Sequence, residues 1–445
     1  MASRRDFLKG CAGLIGAGWG MAPALRPEQG LAVDSALSVA DIPKVGQPLS
    51  SWRPGTMEFH HIYTGNGESI FHLFPDGTSL LIDAGQIDRP GYELKSVTLP
   101  DESLGPGEWI ARYILRVNPH GDEVDYMMIS HFHSDHMGTC QLHRGKTTGC
   151  DEDYFLSGMT QVGEMIHFGK GFDRGFPEYR TPFPIDSPDL ENYRRFIRRK
   201  VKEDGLVMEP FEVGRQDQIA LLRDPEPYRR LFHIRNLCGN GLLWTGKGGV
   251  NDDTFLRWQR ARTDYSENPL SLGIRIEYGP FRYFTAGDFN GSFTGLDGLT
   301  RNLEAMIAPA CGRVDVCKSN HHSYIGSMNP EFLRVLRPRV YVTDVWDQLH
   351  IQPSTMEAMT SRDLYPGDRI VCPTNFPLSK KEEFKNAPWR ADVADEGGHV
   401  VVRVFEGGTR YCVCFVTAHD ESMTVKSVYG PFESCPKGEA TDLVV

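Results

Sequence analysis

No C-x-x-C pair occurs anywhere in the sequence, which removes the usual spacing of a structural zinc knuckle. The 10 cysteines are scattered singly, and the nine beyond Cys11 are an odd number without pattern, so they read as buried core thiols rather than a disulfide framework. Low-complexity runs and internal repeats are also missing, so neither disorder nor a repeat architecture is indicated. No apolar run is long enough to span a bilayer stably; the small and apolar stretch from Cys11 to Met21 is short and glycine-rich. Basic charge is in deficit, with 48 Lys and Arg against 59 Asp and Glu and a formal net charge of −11. An acidic protein is repelled at long range by phosphate backbones, which disfavours bulk nucleic-acid binding. A small phosphate ester stays open, because a metal centre can supply the positive charge that the surface lacks.

What is present suits one large α/β domain. At 445 residues, 40% hydrophobic and 24% charged, the chain can bury a large core, and strand-period and helix-period segments alternate along it. The first 24 or so residues stand apart. Ser3-Arg4-Arg5-Asp6-Phe7-Leu8-Lys9, a short apolar middle and Ala22-Pro23-Ala24 resemble a twin-arginine export signal. That resemblance implies recognition by the twin-arginine export machinery, a periplasmic or extracellular destination, and folding with metal uptake before export. Cys11 precedes the apolar region, which argues against a lipid anchor.

Met57 to Tyr63, Ser69 to Phe74 and Ser79 to Ile82 read as strands, with Pro75-Asp76-Gly77 supplying a turn and Asp83-Ala84-Gly85 ending the third. Glu108 to Val117 has the apolar spacing of a helix face. An apolar run from Val124 to Ser130 leads straight into His131-Phe132-His133-Ser134-Asp135-His136. The stretch from about 145 to 263 has the least regular pattern and is taken as an insertion. Within it, Met165 to Phe172 reads as a strand tipped by Asp173-Arg174-Gly175. Ser187-Pro188-Asp189 starts a helix whose arginines form a solvated face. Later strands end in Ala286-Gly287-Asp288 and in Ser319-Asn320-His321-His322-Ser323, and a closing hairpin is expected over about 398 to 417.

Strand ends carry the chemistry. Imidazoles two apart in an extended loop, His131 and His133, can face one metal, while Asp135 and His136 reach a second ion a few ångströms away. Two ions need a shared anionic bridge and further ligands; Asp288 is the candidate bridge and His321 a candidate to complete the second shell, with the choice between His321 and His322 open.

In this order the motifs resemble the metallo-β-lactamase superfamily, over roughly residues 57 to 350. Asn320-His321-His322-Ser323, followed by Pro330-Glu331-Phe332-Leu333 and Arg337-Pro338, is similar to the nuclease domain of the competence protein ComEC and related phosphodiesterases. The resemblance implies an αββα sandwich over residues 50 to 445, two divalent cations, and metal ligands His131, His133, Asp135, His136, Asp288 and His321. It implies that Asp83 supports the metal-binding loop. Asp135, Asp288 and His350 are the expected catalytic residues, His350 as donor to the leaving group; His322 is expected to support the site or meet substrate.

Many superfamily members carry a further ligand between the hexapeptide and the bridging aspartate, and only His143, His167 and His233 are histidines there. Asp173 or Arg174 is therefore expected in that neighbourhood, Arg174 facing an anionic substrate group. Zinc is the first choice of metal, with manganese or iron open where oxygen ligands replace nitrogen. The expected reaction is attack by a hydroxide drawn from water at the ions, on a phosphodiester or related ester. Lactone or β-lactam hydrolysis, and a non-catalytic exported binding protein on the same fold, are the alternatives.

Overall fold

The computed structural model describes residues 42–87, 96–182, 184–254, 267–289, 291–294, 300–394 and 397–435; the export-signal segment lies outside them. Strands β1 (Met57–His61), β2 (Ile70–Leu73), β3 (Ser79–Ile82), β4 (Glu123–Met128), β5 (His167–Asp173) and β6 (Val207–Pro210) enter one sheet. A second sheet takes β7 (Phe232–Gly239), β8 (Leu242–Trp244), β9 (Asn251–Asp253), β10 (Gly273–Tyr278) and β11 (Phe281–Thr285). After a small hairpin of β12 (Ser292–Thr294) and β13 (Thr300–Asn302), the second sheet is completed by β14 (Val316–Lys318), β15 (Val340–Thr343) and β16 (Ile370–Pro373). The chain then returns to the first sheet with β17 (His399–Val404), β18 (Arg410–Val416) and β19 (Val425–Glu433). The resulting orders are β19-β18-β17-β1-β2-β3-β4-β5-β6 and β16-β15-β14-β11-β10-β7-β8-β9.

Both sheets are covered on both faces, which is why their strands read as apolar runs. In β17, Val400, Val402 and Val404 enter the layer shared by the two sheets, whereas Val401 faces outward. Phe59 stacks on Tyr283 of the other sheet with ring centroids 4.2 Å apart. The short α2 (Ser134–Met137) falls in the loop after β4, and on the outer face of the first sheet pack α1 (Pro106–Val117), α3 (Met159–Val162) and α4 (Pro188–Glu203). On that of the second pack α5 (Leu303–Cys311), α6 (Pro330–Leu336) and α7 (Pro353–Thr360). Each large side chain fully buried in these layers contributes roughly 1.5–3 kcal/mol relative to exposure. The chain is thus of mixed α/β class, with two large mixed sheets and helices outside them. Among the described residues no helix is long and apolar enough to cross a membrane.

Within the stretch 145–263, the described residues supply β5 and β6 to one sheet and β7, β8 and β9 to the other. Of these, β6, β8 and β9 have three or four residues each, too few to show a period. The hairpin of β17 and β18 turns through Gly407-Gly408 as expected, but β19 pairs beyond it, so the hairpin does not close the sheet. The helix α4 is capped by Ser187, and its Arg198 bonds Glu152 at 2.8 Å and Glu191 at 2.9 Å, so its basic charge is spent at the surface.

The topology positions the chemistry. β3, β4, β5 and β6 run parallel, as do β11, β14, β15 and β16. Asp83 follows β3, the hexapeptide follows β4, Asp288 follows β11, His321 and His322 follow β14, and Asp344 follows β15. The loops that leave the carboxyl ends of parallel strands are where α/β sheets commonly gather ligands.

Candidate metal centre

Asp83 organises the hexapeptide loop. Its backbone lies in the left-handed region at φ 61°, and its carboxylate is fully buried. Oδ1 accepts from the Ser130 amide at 2.7 Å and Oδ2 from the Ser130 hydroxyl at 2.6 Å. His136 Nδ1 lies 2.8 Å from the same Oδ2; a proton on Nδ1 leaves Nε2 bare and aimed inward. From the other side, the Glu68 amide donates to the Asp135 carbonyl at 2.8 Å. That approach requires glycine, since a Cβ on Gly67 would sit 2.5 Å, and one on Gly85 1.9 Å, from this oxygen.

Asp288 faces two sets of imidazoles at once. Its Oδ1 is 3.3 Å from His136 Nε2 and 3.2 Å from His322 Nε2, while its Oδ2 is 3.9 Å from His131 Nε2 and 3.8 Å from His321 Nε2. Asp135 Oδ2 joins the first set, 3.5 Å from His136 Nε2 and 3.2 Å from His322 Nε2. His133 Nδ1 lies 3.1 Å from His131 Nε2 and belongs to the second. The geometry therefore groups His322, not His321, with Asp135 and His136; His321 stands on the opposite oxygen of Asp288.

The donor set fits cations. Donor atoms of Glu68, His136, Asp288 and His322 all lie within 4.8 Å of one another, as do those of His131, His133 and Asp288. His136 Nε2 and Asp288 Oδ1 are buried without a hydrogen-bond partner, a costly state for polar atoms unless an ion fills the gap. Among the described residues, the carboxylates of Glu68, Asp83, Asp135, Asp288 and Asp344 are buried or nearly so in this region, with the buried ammonium of Lys318 among them. This His/Asp/Glu group could hold metal.

The proton affinities follow from the same crowding. Burial alone would push His136 down, but Asp288, Asp135 and Asp83 together hold it well above the ordinary histidine range. Burial likewise opposes charge on His322, yet Asp288, Asp135 and Glu68 push it up to about 10. Asp288 and Asp135 are held well below the usual carboxylate range, against burial, by the facing imidazoles. Protons thus neutralise the cluster when no cation does, and cation binding has to release them.

His321, His322 and Ser323 occupy the left-handed region in succession, at φ 50°, 53° and 59°. Each such residue costs roughly 1–3 kcal/mol and persists only where its surroundings impose it. Here the imposing contacts are specific. Asn320 Nδ2 donates to Glu304 at 2.7 Å, and Glu304 also accepts from the Met328 and Asn329 amides at 2.9 and 2.7 Å, clamping both ends of the loop. His322 Nδ1 reaches the Asp344 carbonyl at 2.8 Å, which turns Nε2 to the centre.

A cavity of about 350 Å³ opens onto this cluster, lined by His133, Asp135, Asp288, His321, His322 and His350 among others. His350 stacks on His322 with ring centroids 4.7 Å apart at 12°. Burial and the neighbouring His322 hold it well below the ordinary histidine range. Its place on His322 sets it in the wall of the cavity, beside the cluster.

Asp173 and Arg174 are committed elsewhere, and neither lines the cavity. Asp173 accepts from the Gly175 and Phe176 amides and from the Tyr179 and Tyr193 hydroxyls, which uses up its oxygens. Arg174 is paired with Glu267 at 2.7 Å through Nε, and Glu267 accepts from the Phe132 amide at 3.2 Å. The two brace the hexapeptide from behind. His167 is exposed beside Asp122, and His143 lies against the Phe155 ring at 4.3 Å between centroids; neither lines the cavity.

Glu68, Lys318, Asp344, Trp346 and Asn268 escaped the reading of the sequence. A lysine ending the strand Val316–Lys318, just before the His-His pair, was the available signal. No family model matches the chain, and no curated protein matches its sequence.

Proposed function

We propose that this chain is a two-cation hydrolase on the αββα metallo-β-lactamase scaffold, exported by the twin-arginine route and acting on a phosphodiester or related ester. One observation carries the reading: the two oxygens of Asp288 face separate imidazole sets, as a bridging carboxylate must. One set comprises Asp135, His136 and His322; the other, His131 and His133, with His321 beside them. Zinc, or alternatively manganese or iron, supplies Lewis acidity and lowers the pKa of water when bound. The residues do the rest. Asp288 and Asp135 orient the attacking water, His350 and Trp346 wall the cavity, and Asp83 holds His136 in its tautomer.

The His-His-Ser loop and the helix after it support the phosphodiester substrate. A second reading, lactone or β-lactam hydrolysis, is favoured by the cavity's lack of Lys or Arg among its described lining residues, which suits a neutral ester. Elemental analysis of the purified mature protein and of His133→Ala tests the centre. About two equivalents of metal, falling in the variant, are expected. A panel of nitrophenyl phosphodiesters, lactones and β-lactams then decides the substrate. Turnover of the latter two alone favours the second reading, and two bound metals without any hydrolysis favour a binding protein.

A further inference from the structure

Beneath the centre, Glu68 and Lys318 form an ion pair that the reading above does not use. Both side chains are 0% exposed, and Lys318 Nζ stands 2.6 Å from Glu68 Oε2. The same ammonium donates to the Gly287 carbonyl at 2.6 Å, one residue before Asp288. Glu68 reaches the other way: its Oε2 is 3.5 Å from His322 Nδ1, and its carboxylate lies within 4.8 Å of donor atoms of His136, Asp288 and His322. Its Oε1 has no partner. Buried ion pairs can often be replaced by apolar residues at no loss of stability, so stability alone does not account for this one. Nor is Glu68 free to retreat, since its backbone is bonded to Asp135 and Gly85 at 2.8 and 3.0 Å.

We propose that Glu68 and Lys318 are positioning residues that set the charge of the centre. The ammonium cancels a carboxylate that would otherwise join the ligands. The proposal rests on reading the cluster as a cation site, and its logic is electrostatic: each member acts on the cations with opposite sign.

The test is cation affinity of the full mature chain, measured for zinc and for manganese by competition with a chromophoric chelator, in wild type, Lys318→Met, Glu68→Gln and the double variant. Lys318→Met is expected to bind cations about tenfold more tightly, and Glu68→Gln about tenfold more weakly. The double variant should return to within a few-fold of wild type. A pair with only a structural role would weaken binding in every variant, and that result overturns the proposal. If Lys318→Met fails to fold, Glu68→Gln against the double variant still decides, because removing the ammonium must recover the lost affinity; no recovery also overturns the proposal. Wild type that binds no cation rejects the underlying reading and this proposal with it. Two tightly bound cations in wild type, with the variants in the wrong order, reject this proposal alone.

Discussion

The two sides of Asp288 look onto different surroundings. On the Oδ1 side, His136 and His322 are buried, and each ring is held from behind, by Asp83 at 2.8 Å and by the Asp344 carbonyl at 2.8 Å. Both sides reach the cavity, through Asp135 and His322 on one and His133 and His321 on the other, but on the Oδ2 side only His131 is buried, while His133 is half-buried and the His321 side chain is 21% exposed with Asn268 as its neighbour at 3.2 Å. One side is set when the chain folds. On the proposed two-cation reading, the other would have room to change its shell as substrate arrives, the ordinary division between a cation that holds structure and one that meets the reacting group.

Removing the shared residue should have the largest effect. Asp288→Ala is expected to release both cations and lower kcat/KM by about 10³-fold or more, checked by metal content and hydrolysis. Retention of one full equivalent would show that Asp288 serves a single side. Next, His322→Ala should lose one equivalent, with affinity down about 100-fold, whereas His321→Ala keeps both at saturating metal and mainly raises KM. The opposite order in a calorimetric titration would invert the comparison. Asp83→Asn sharpens it further: about tenfold weaker binding is expected in the tighter of two resolved binding steps, and an effect on the weaker step alone would assign Asp83 to the open side.

An effect on stability rather than on cation binding concerns the loop that carries both His321 and His322. Burial pushes the Glu304 carboxyl up to about 7 from its ordinary 4.5, against the three N–H donors that pull it down. The folded chain therefore keeps a proton that the unfolded chain gives up. Stability is highest below pH 4.5 as far as this group is concerned, and falls as pH rises towards 7, by up to roughly 3 kcal/mol. Because burial lowers His72 and His399 to about 3 and so tilts stability the other way, the readout is the difference between wild type and Glu304→Gln in denaturant unfolding across that window, which should fall as pH rises. A difference that does not change with pH would show that Glu304 does not carry the effect.

What the sequence made legible was the end of each strand. The hexapeptide, Asp83 and Asp288 follow apolar runs and announce themselves, because a carboxylate or imidazole after a buried strand has few bland roles. The choice between His321 and His322 was illegible, since it turns on three successive left-handed residues that no pattern of side chains encodes. Asp173 shows the opposite failure. It sits at a strand tip just as Asp288 does, yet it satisfies local amides and two tyrosine hydroxyls, and nothing in Phe172-Asp173-Arg174-Gly175 separates the two uses. Glu68 and Lys318 were hidden for another reason: 250 residues apart, they are a pair only after two sheets meet. In the fold, long strands between turn residues were readable, while β6, β8 and β9, at three or four residues each, were too short to carry a period.

The close approach at the Asp135 carbonyl has a consequence for how such a centre would be mapped by mutation. Gly67 and Gly85 offer no donor, acceptor or charge, yet any side chain there would drive into the oxygen that fixes the hexapeptide. A saturation scan scored on turnover should rank them with the histidines. Intolerance in that scan would mark two kinds of position alike, those where a group must be present and those where it must be absent.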